Sequence, residues 1–163
     1  MAKETWKAGN MLYPLPAVMV SVSDGEGNDN IITVAWAGTV CTNPPMVSIS
    51  VRPSRFSYDM IRKTGEFVIN LTTEKLAYAT DYCGVRSGRD VDKFESIKMP
   101  EDVNGIPYMG WYACAVISGK VVESHDLGTH TLFIAEVVDA KMLSDKAPLT
   151  YADYQEHIKP KAD

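Results

Sequence analysis

The sequence predicts a β-rich barrel with short flanking helices. Three observations point there. Several apolar runs rich in β-branched residues recur between turn residues. Only two segments carry a helical start and stop. The one glycine cluster, Gly25-Glu26-Gly27, neither completes GxGxxG nor opens a helix, so a doubly wound nucleotide-binding sheet does not fit.

The elements follow in chain order. Residues 16–23 form an apolar run that reads as a buried strand, and 24–30 is a loop of turn residues. Residues 31–40 read as one strand, completing a hairpin. Thr42-Asn43-Pro44-Pro45 breaks the pattern, because proline cannot donate into a ladder. Met46-Val47-Ser48-Ile49-Ser50-Val51 alternates strictly and is a third strand. Ser54 is the expected N-cap of a helix over 55–63, which Gly65 ends. Residues 67–71 return as a strand. A helix over 74–82, capped by Thr72 or Thr73, leads into a loop at 84–92 that carries glycine and arginine. Residues 112–122 and 131–140 are two further strands, joined by a loop at 123–130. The tail from 147 shows little periodicity.

The 163 residues suit one domain spanning 1–163, with 45% hydrophobic and 23% charged residues. The net charge of -5, from 16 basic and 21 acidic residues, argues against a nucleic-acid partner, which needs a basic face. No secretory signal and no bilayer-spanning run is visible, so no membrane is expected. Cys41, Cys83 and Cys114 are odd in number and widely spaced, which suits free thiols in a reducing cytoplasm. Cys83, in a polar context, is expected to be the exposed one. His125 and His130 lack cysteine partners and a ligand spacing, so no metal is expected.

The most informative stretch is 48–58. A strand ends in hydroxyls and Arg52, Pro53 stops it, and a helix starts at once. Helix N-termini attract phosphate, and Arg52 and Arg55 can add charge-assisted bonds, with Ser50, Ser54 and Ser57 as hydroxyl donors. A plain helix start with two solvated arginines fits the same spacing. Nearby, Thr33, Ala35, Gly38 and Thr39 are small enough to let a planar ring approach the backbone, while Trp36 either joins such a site or fills the core.

Several separated runs together resemble a known family. They are Asn30 to Trp36, Asn43 to Arg52 with Arg55, Gly65 to Leu71, Ser87 to Phe94, Gly128-Thr129-His130, and Phe133 to Val137. They resemble the flavin-reductase-like, FMN-binding split-barrel family, above all its flavoredoxin branch. The resemblance implies a six-stranded antiparallel split β-barrel of Greek-key character, forming a homodimer with one FMN per subunit near the interface. It places Thr33, Val34, Ala35 and Trp36 along the isoalloxazine and ribityl chain. Ser50, Val51, Arg52, Ser54, Arg55, Ser57 and Tyr58 fall around the phosphate, and Lys93 approaches from the loop. His130 falls where an electron donor docks; no catalytic nucleophile is assigned. The donor is NAD(P)H or a reduced electron-carrier protein. Two readings of the activity stay open, a flavin reductase and a non-catalytic flavoredoxin-type carrier, beside a split-barrel module that binds a ligand without flavin turnover. Thr129 stands where the family pattern has aspartate, and the segment 107–112 is richer in aromatics than that pattern. Its Tyr108, Met109, Trp111 and Tyr112 suit a dimer contact.

Overall fold

The computed structural model describes residues 2–9, 12–95 and 99–158. Its seven strands are β1 (Val18–Ser23), β2 (Asp29–Val34), β3 (Ala37–Thr42), β4 (Pro45–Val51), β5 (Glu66–Leu71), β6 (Ala115–Asp126) and β7 (Thr131–Met142). Three helices accompany them: α1 (Phe56–Thr64), α2 (Ala77–Val85) and α3 (Tyr151–His157). The strands form one sheet in the order β2-β1-β5-β6-β7-β4-β3, and every pairing is antiparallel. The chain runs from β4 through α1 to β5 and returns by β6 and β7 to lie beside β4, a Greek key.

The sheet's two edges are β2 and β3, yet only Ala35 and Trp36 separate them in sequence. A link that short spans at most about 11 Å. The edges must therefore meet at that end, and the sheet coils into a barrel left open along β2 and β3. The Ser50 amide donates to the Trp36 carbonyl at 3.0 Å and ties the link to β4. Val18, Val20 and Val22 meet Ile32, Val34, Val47, Ile49, Val51, Phe67, Ile69, Phe133 and Ala135 in the interior, and Met60 and Ile61 of α1 close the barrel. The alternation of β4 points Val47, Ile49 and Val51 inward.

Among the described residues the strand count is seven rather than six. The run at 31–40 is two strands, because the chain leaves one sheet edge at Val34 and joins the opposite edge at Ala37. The polar stretch 123–126 continues β6, since each residue still pairs across to 131–134, the part of β7 that pairs on its other side with β4. The connection there is a tight turn closed by the Leu127 amide on the His130 carbonyl, 2.9 Å.

The helix starts also differ. Arg55, not Ser54, is the N-cap of α1, and it makes no side-chain cap bond; Gly65 ends the helix as expected, its amide on the Ile61 carbonyl at 2.8 Å. Thr73 stands at the N-cap of the turn that opens the next helix, as expected, but neither it nor Thr72 makes a side-chain cap bond. Their hydroxyls donate to the carbonyls of Ala17 and Tyr112 at 2.5 and 2.6 Å. That helix opens with a 3-10 turn at 74–76 and runs on to Val85, so Gly84 lies inside it. A Cβ at Gly84 would stand 3.3 Å from the Thr33 Cβ, which is how closely α2 lies on β2. The tail holds α3, started by a capping box between Thr150 and Asp153.

Cys83 is buried beside Met19 and Ile31, whereas Cys41 on β3 is half-buried. Asn70, fully buried, donates to the Met19 carbonyl and the Ser21 hydroxyl, both 2.8 Å, and accepts from the Met109 amide at 2.7 Å. That tether splits the aromatic segment. Tyr108 and Met109 pack inward, while Trp111 and Tyr112 stay 64% and 59% exposed.

Candidate functional site

Two clefts open beside each other at the barrel's open edge. The first, about 180 Å³, lies between the start of α1 and the loop after α2. Ser54, Arg55, Phe56, Arg86, Ser87, Gly88, Arg89 and Lys93 line it, with Asn30 and Ile32. The second, about 290 Å³, is lined by residues 32–36, Ser50, Val51, Arg52, Arg55, His130 and Tyr151. Ile32 and Arg55 line both, so the clefts adjoin.

The first cleft holds four cations, and none of the described residues lining it is acidic. Arg52 adds a fifth in the second cleft. Among the described residues none of the five forms an ion pair. In a chain of net charge -5 this is a local positive field waiting for an anion. Backbone and packing contacts hold the cations in place. The Lys93 ammonium donates to the carbonyls of Ile31 and Cys83 at 2.8 and 2.9 Å, which leaves one N–H for a ligand. Burial, with Arg55 nearby, holds the Lys93 pKa below its ordinary value, against the smaller opposing pull of Cys83. Arg89 donates to the Ser54 carbonyl at 3.0 Å and lies over the Phe56 ring. Gly88 permits this closure, because a Cβ there would stand 2.4 Å from the Phe56 ring and 2.6 Å from the Asn30 side-chain oxygen. The start of α1 borders the same cleft and adds its positive end.

The second cleft is flatter and more open. Trp36 is 42% exposed, and its ring lies 4.5 Å from that of His130. Burial, then Arg52 and Arg55, holds the His130 pKa below its ordinary value. The imidazole is therefore neutral at pH 7, and its Nδ1 shares a 2.8 Å hydrogen bond with the Thr129 hydroxyl. The Thr33 hydroxyl donates to the Thr80 carbonyl at 2.5 Å, so the threonine faces the cleft while bracing α2.

The structure brings most of the expected residues together. Thr33, Val34, Ala35, Trp36, Ser50, Val51, Arg52, Arg55 and His130 share the second cleft, and Ser54, Arg55 and Lys93 share the first. It does not bring Ser57 and Tyr58 to either. Ser57 is fully buried and accepts from the Asn30 amide at 2.8 Å, and the Tyr58 hydroxyl lies 3.0 Å from that of Thr131 with its ring against Phe133. Successive helical residues 57 and 58 turn toward the barrel rather than the cleft. Arg86, Arg89 and Tyr151 were not expected. The two arginines flank Ser87-Gly88, and that pairing of basic residues around a small, flexible dipeptide was the available signal.

A larger hollow of about 970 Å³ lies between residues 73–77 and 143–158, but it mixes Lys75 and Lys146 with Glu74 and Asp153 and shares no residue with the two clefts. Among the described residues no group of three or more His, Cys, Asp or Glu could hold a metal, and no helix is long and apolar enough to cross a membrane.

A cleft of cations beside a flat cleft with an exposed indole fits a phosphate-bearing planar cofactor such as a flavin nucleotide. Comparison with known proteins agrees. The family described as "Flavin reductase like domain" matches residues 10–159. A ferric-chelate reductase (NAD(P)H) of Archaeoglobus fulgidus is 30% identical over 138 residues, which is 84% of this chain and 80% of that protein. The reductase component of an FADH(2)-dependent resorcinol hydroxylase from Rhizobium sp. is 27% identical over 139 residues, 85% of this chain and 76% of its own. The solved flavoredoxin of Desulfovibrio vulgaris (Miyazaki F) is 28% identical, with a TM-score of 0.75 over 90% of this chain and 82% of that one. On the extent of the family match and these likenesses, the chain belongs to the flavin-reductase-like family.

Proposed function

We propose that this protein is an oxidoreductase that binds FMN in the two adjoining clefts and passes electrons or hydride between an external donor and an acceptor. The observation that carries this is the set of four cations, none in an ion pair among the described residues, around a cleft sized for one phosphate. Arg55, Arg86, Arg89 and Lys93, with the hydroxyls of Ser54 and Ser87, would hold a phosphate dianion. Val34, Ala35, Trp36, Ser50 and Val51 would line the ring and ribityl chain. When bound, FMN supplies the redox chemistry, and no side chain need act as a nucleophile.

The chain's own residues bind and orient. Trp36 and the neutral His130 form an exposed aromatic rim at which a planar donor can stack. Arg52, at the same rim, is placed to meet a negatively charged donor. The cation cleft suits the terminal phosphate of FMN. A homodimer with the clefts near its interface would cover the open barrel edge, where Trp36 and Val40 are exposed. A cytoplasmic setting suits the three free thiols.

Mixing the FMN-loaded protein with NADH, NADPH or a reduced ferredoxin separates the possible donors. Rapid loss of the visible flavin absorption with a nicotinamide, on the time scale of ordinary turnover, is expected for a reductase. Bleaching with the ferredoxin alone would make the chain a carrier, in line with the flavoredoxin it is similar to. Failure to bind any flavin would overturn the proposal.

A further inference from the structure

The C-terminal helix reaches the flat cleft although its sequence carries little periodicity. Tyr151, the first residue of α3, lines that cleft together with Thr33, Val34 and Trp36. The segment that carries it is fastened on several sides. The Ala17 amide donates to the Leu149 carbonyl at 3.2 Å, and the Leu149 amide to the Thr72 carbonyl at 2.8 Å. The Tyr151 amide donates to the Leu15 carbonyl at 2.5 Å, beside a bridge between Pro16 and Thr150. From the helix itself, the Tyr154 hydroxyl donates to the Asp81 carboxylate on α2 at 2.6 Å. Burial and that carboxylate push the Tyr154 pKa far up, so the phenol stays a donor throughout the physiological range.

The Tyr151 ring is braced as well. It stacks on Tyr154, with centroids 5.8 Å apart and planes 24° apart, and meets the edge of Tyr13 at 6.5 Å. Its hydroxyl accepts from the Gln155 side-chain amide. A ring already immobilised loses little freedom when a ligand lies against it. An aromatic ring fixed in the wall of the cleft that Trp36 also lines, about 290 Å³ in volume, has the chemistry to contact a planar heterocycle.

We propose that Tyr151 is a ring-binding residue of the flavin site and that residues 149–157 act as a strap holding it there. This rests on the flavin reading above. It assigns a site role to the C-terminal segment, and the role is distinct from that of the phosphate cations.

The test is equilibrium binding of FMN and of riboflavin to the full chain, wild type against Tyr151→Leu and Tyr151→Phe. Leucine keeps apolar packing on Tyr154, so the strap stays docked, and a thermal melt of each variant checks this. Tyr151→Leu should weaken FMN and riboflavin by the same factor, roughly 3- to 10-fold, the size of one aromatic contact. It should also shift the visible absorption bands of the bound flavin. Tyr151→Phe should recover most of the affinity. A folded Tyr151→Leu protein that binds both flavins within twofold of wild type, with unchanged bands, would overturn the role of Tyr151 and leave the flavin reading standing. A wild-type chain that binds neither flavin would overturn both. Weakening of FMN alone would place Tyr151 at the phosphate and refute a ring contact.

Discussion

Replacing Lys93 with methionine is the sharpest probe of the cation cleft. Lys93 gives two of its three N–H donors to the carbonyls of Ile31 and Cys83, so one remains for a phosphate oxygen. A hydrogen bond to a charged group contributes about 1.5–3 kcal/mol. Here the side chain is half-buried, and three arginines would share the anion, so the lower end applies. About 1.5 kcal/mol is roughly a tenfold loss of FMN affinity. Riboflavin has no phosphate and should lose less than about twofold. The same change strips a donor from two backbone carbonyls, so folding stability should fall by roughly 1–2 kcal/mol. Quenching of flavin fluorescence, read at low and high salt, measures both affinities, and a denaturant melt measures stability. Added salt should narrow the difference between the two ligands in the wild type and leave less to narrow in Lys93→Met. Equal loss of FMN and riboflavin in a variant whose melt shows it folded would refute the assignment of this cleft to phosphate.

Gly88→Ala puts a methyl 2.4 Å from the Phe56 ring and 2.6 Å from the Asn30 oxygen, so it should cost about 1–3 kcal/mol of stability and weaken FMN, measured by melt and titration. Thr150→Ala removes the capping box of α3 and should cost about 1 kcal/mol, visible as faster amide exchange across 151–157. His130 has a folded pKa below its unfolded value, so its share of stability is present above the unfolded value near 6.5 and is lost as pH falls through the folded one. His130→Asn should therefore flatten the stability profile on the acid side of pH 6.5 and leave it unchanged at pH 8. An acid limb as steep as in the wild type would mean another group carries it.

Much of this was legible in the chain because it rests on local pattern. The alternation of Met46 to Val51 marks a strand with one face inward, and the run of hydroxyls and Arg52 before Pro53 marks the turn into α1. What was not legible depends on distant approach. Arg86 and Arg89 become site residues only because α2 lies against β2 through Gly84 and Gly88, which carries their loop to the start of α1. Ser57 is an equal of Ser54 by spacing, and the resemblance adds Tyr58, but the helix turns them to Asn30 and Thr131. The run 31–40 has the composition of one strand, and only closure of the sheet divides it at Trp36. In a tail of little periodicity, nothing local says that Tyr151 lines a cleft built by β2 and β4.

A crystal structure of the protein grown with FMN tests the central claim most directly. The account expects the phosphate among Arg55, Arg86, Arg89 and Lys93, and the ring beside Trp36. Clear flavin density elsewhere, with those guanidinium groups turned to solvent, would contradict it.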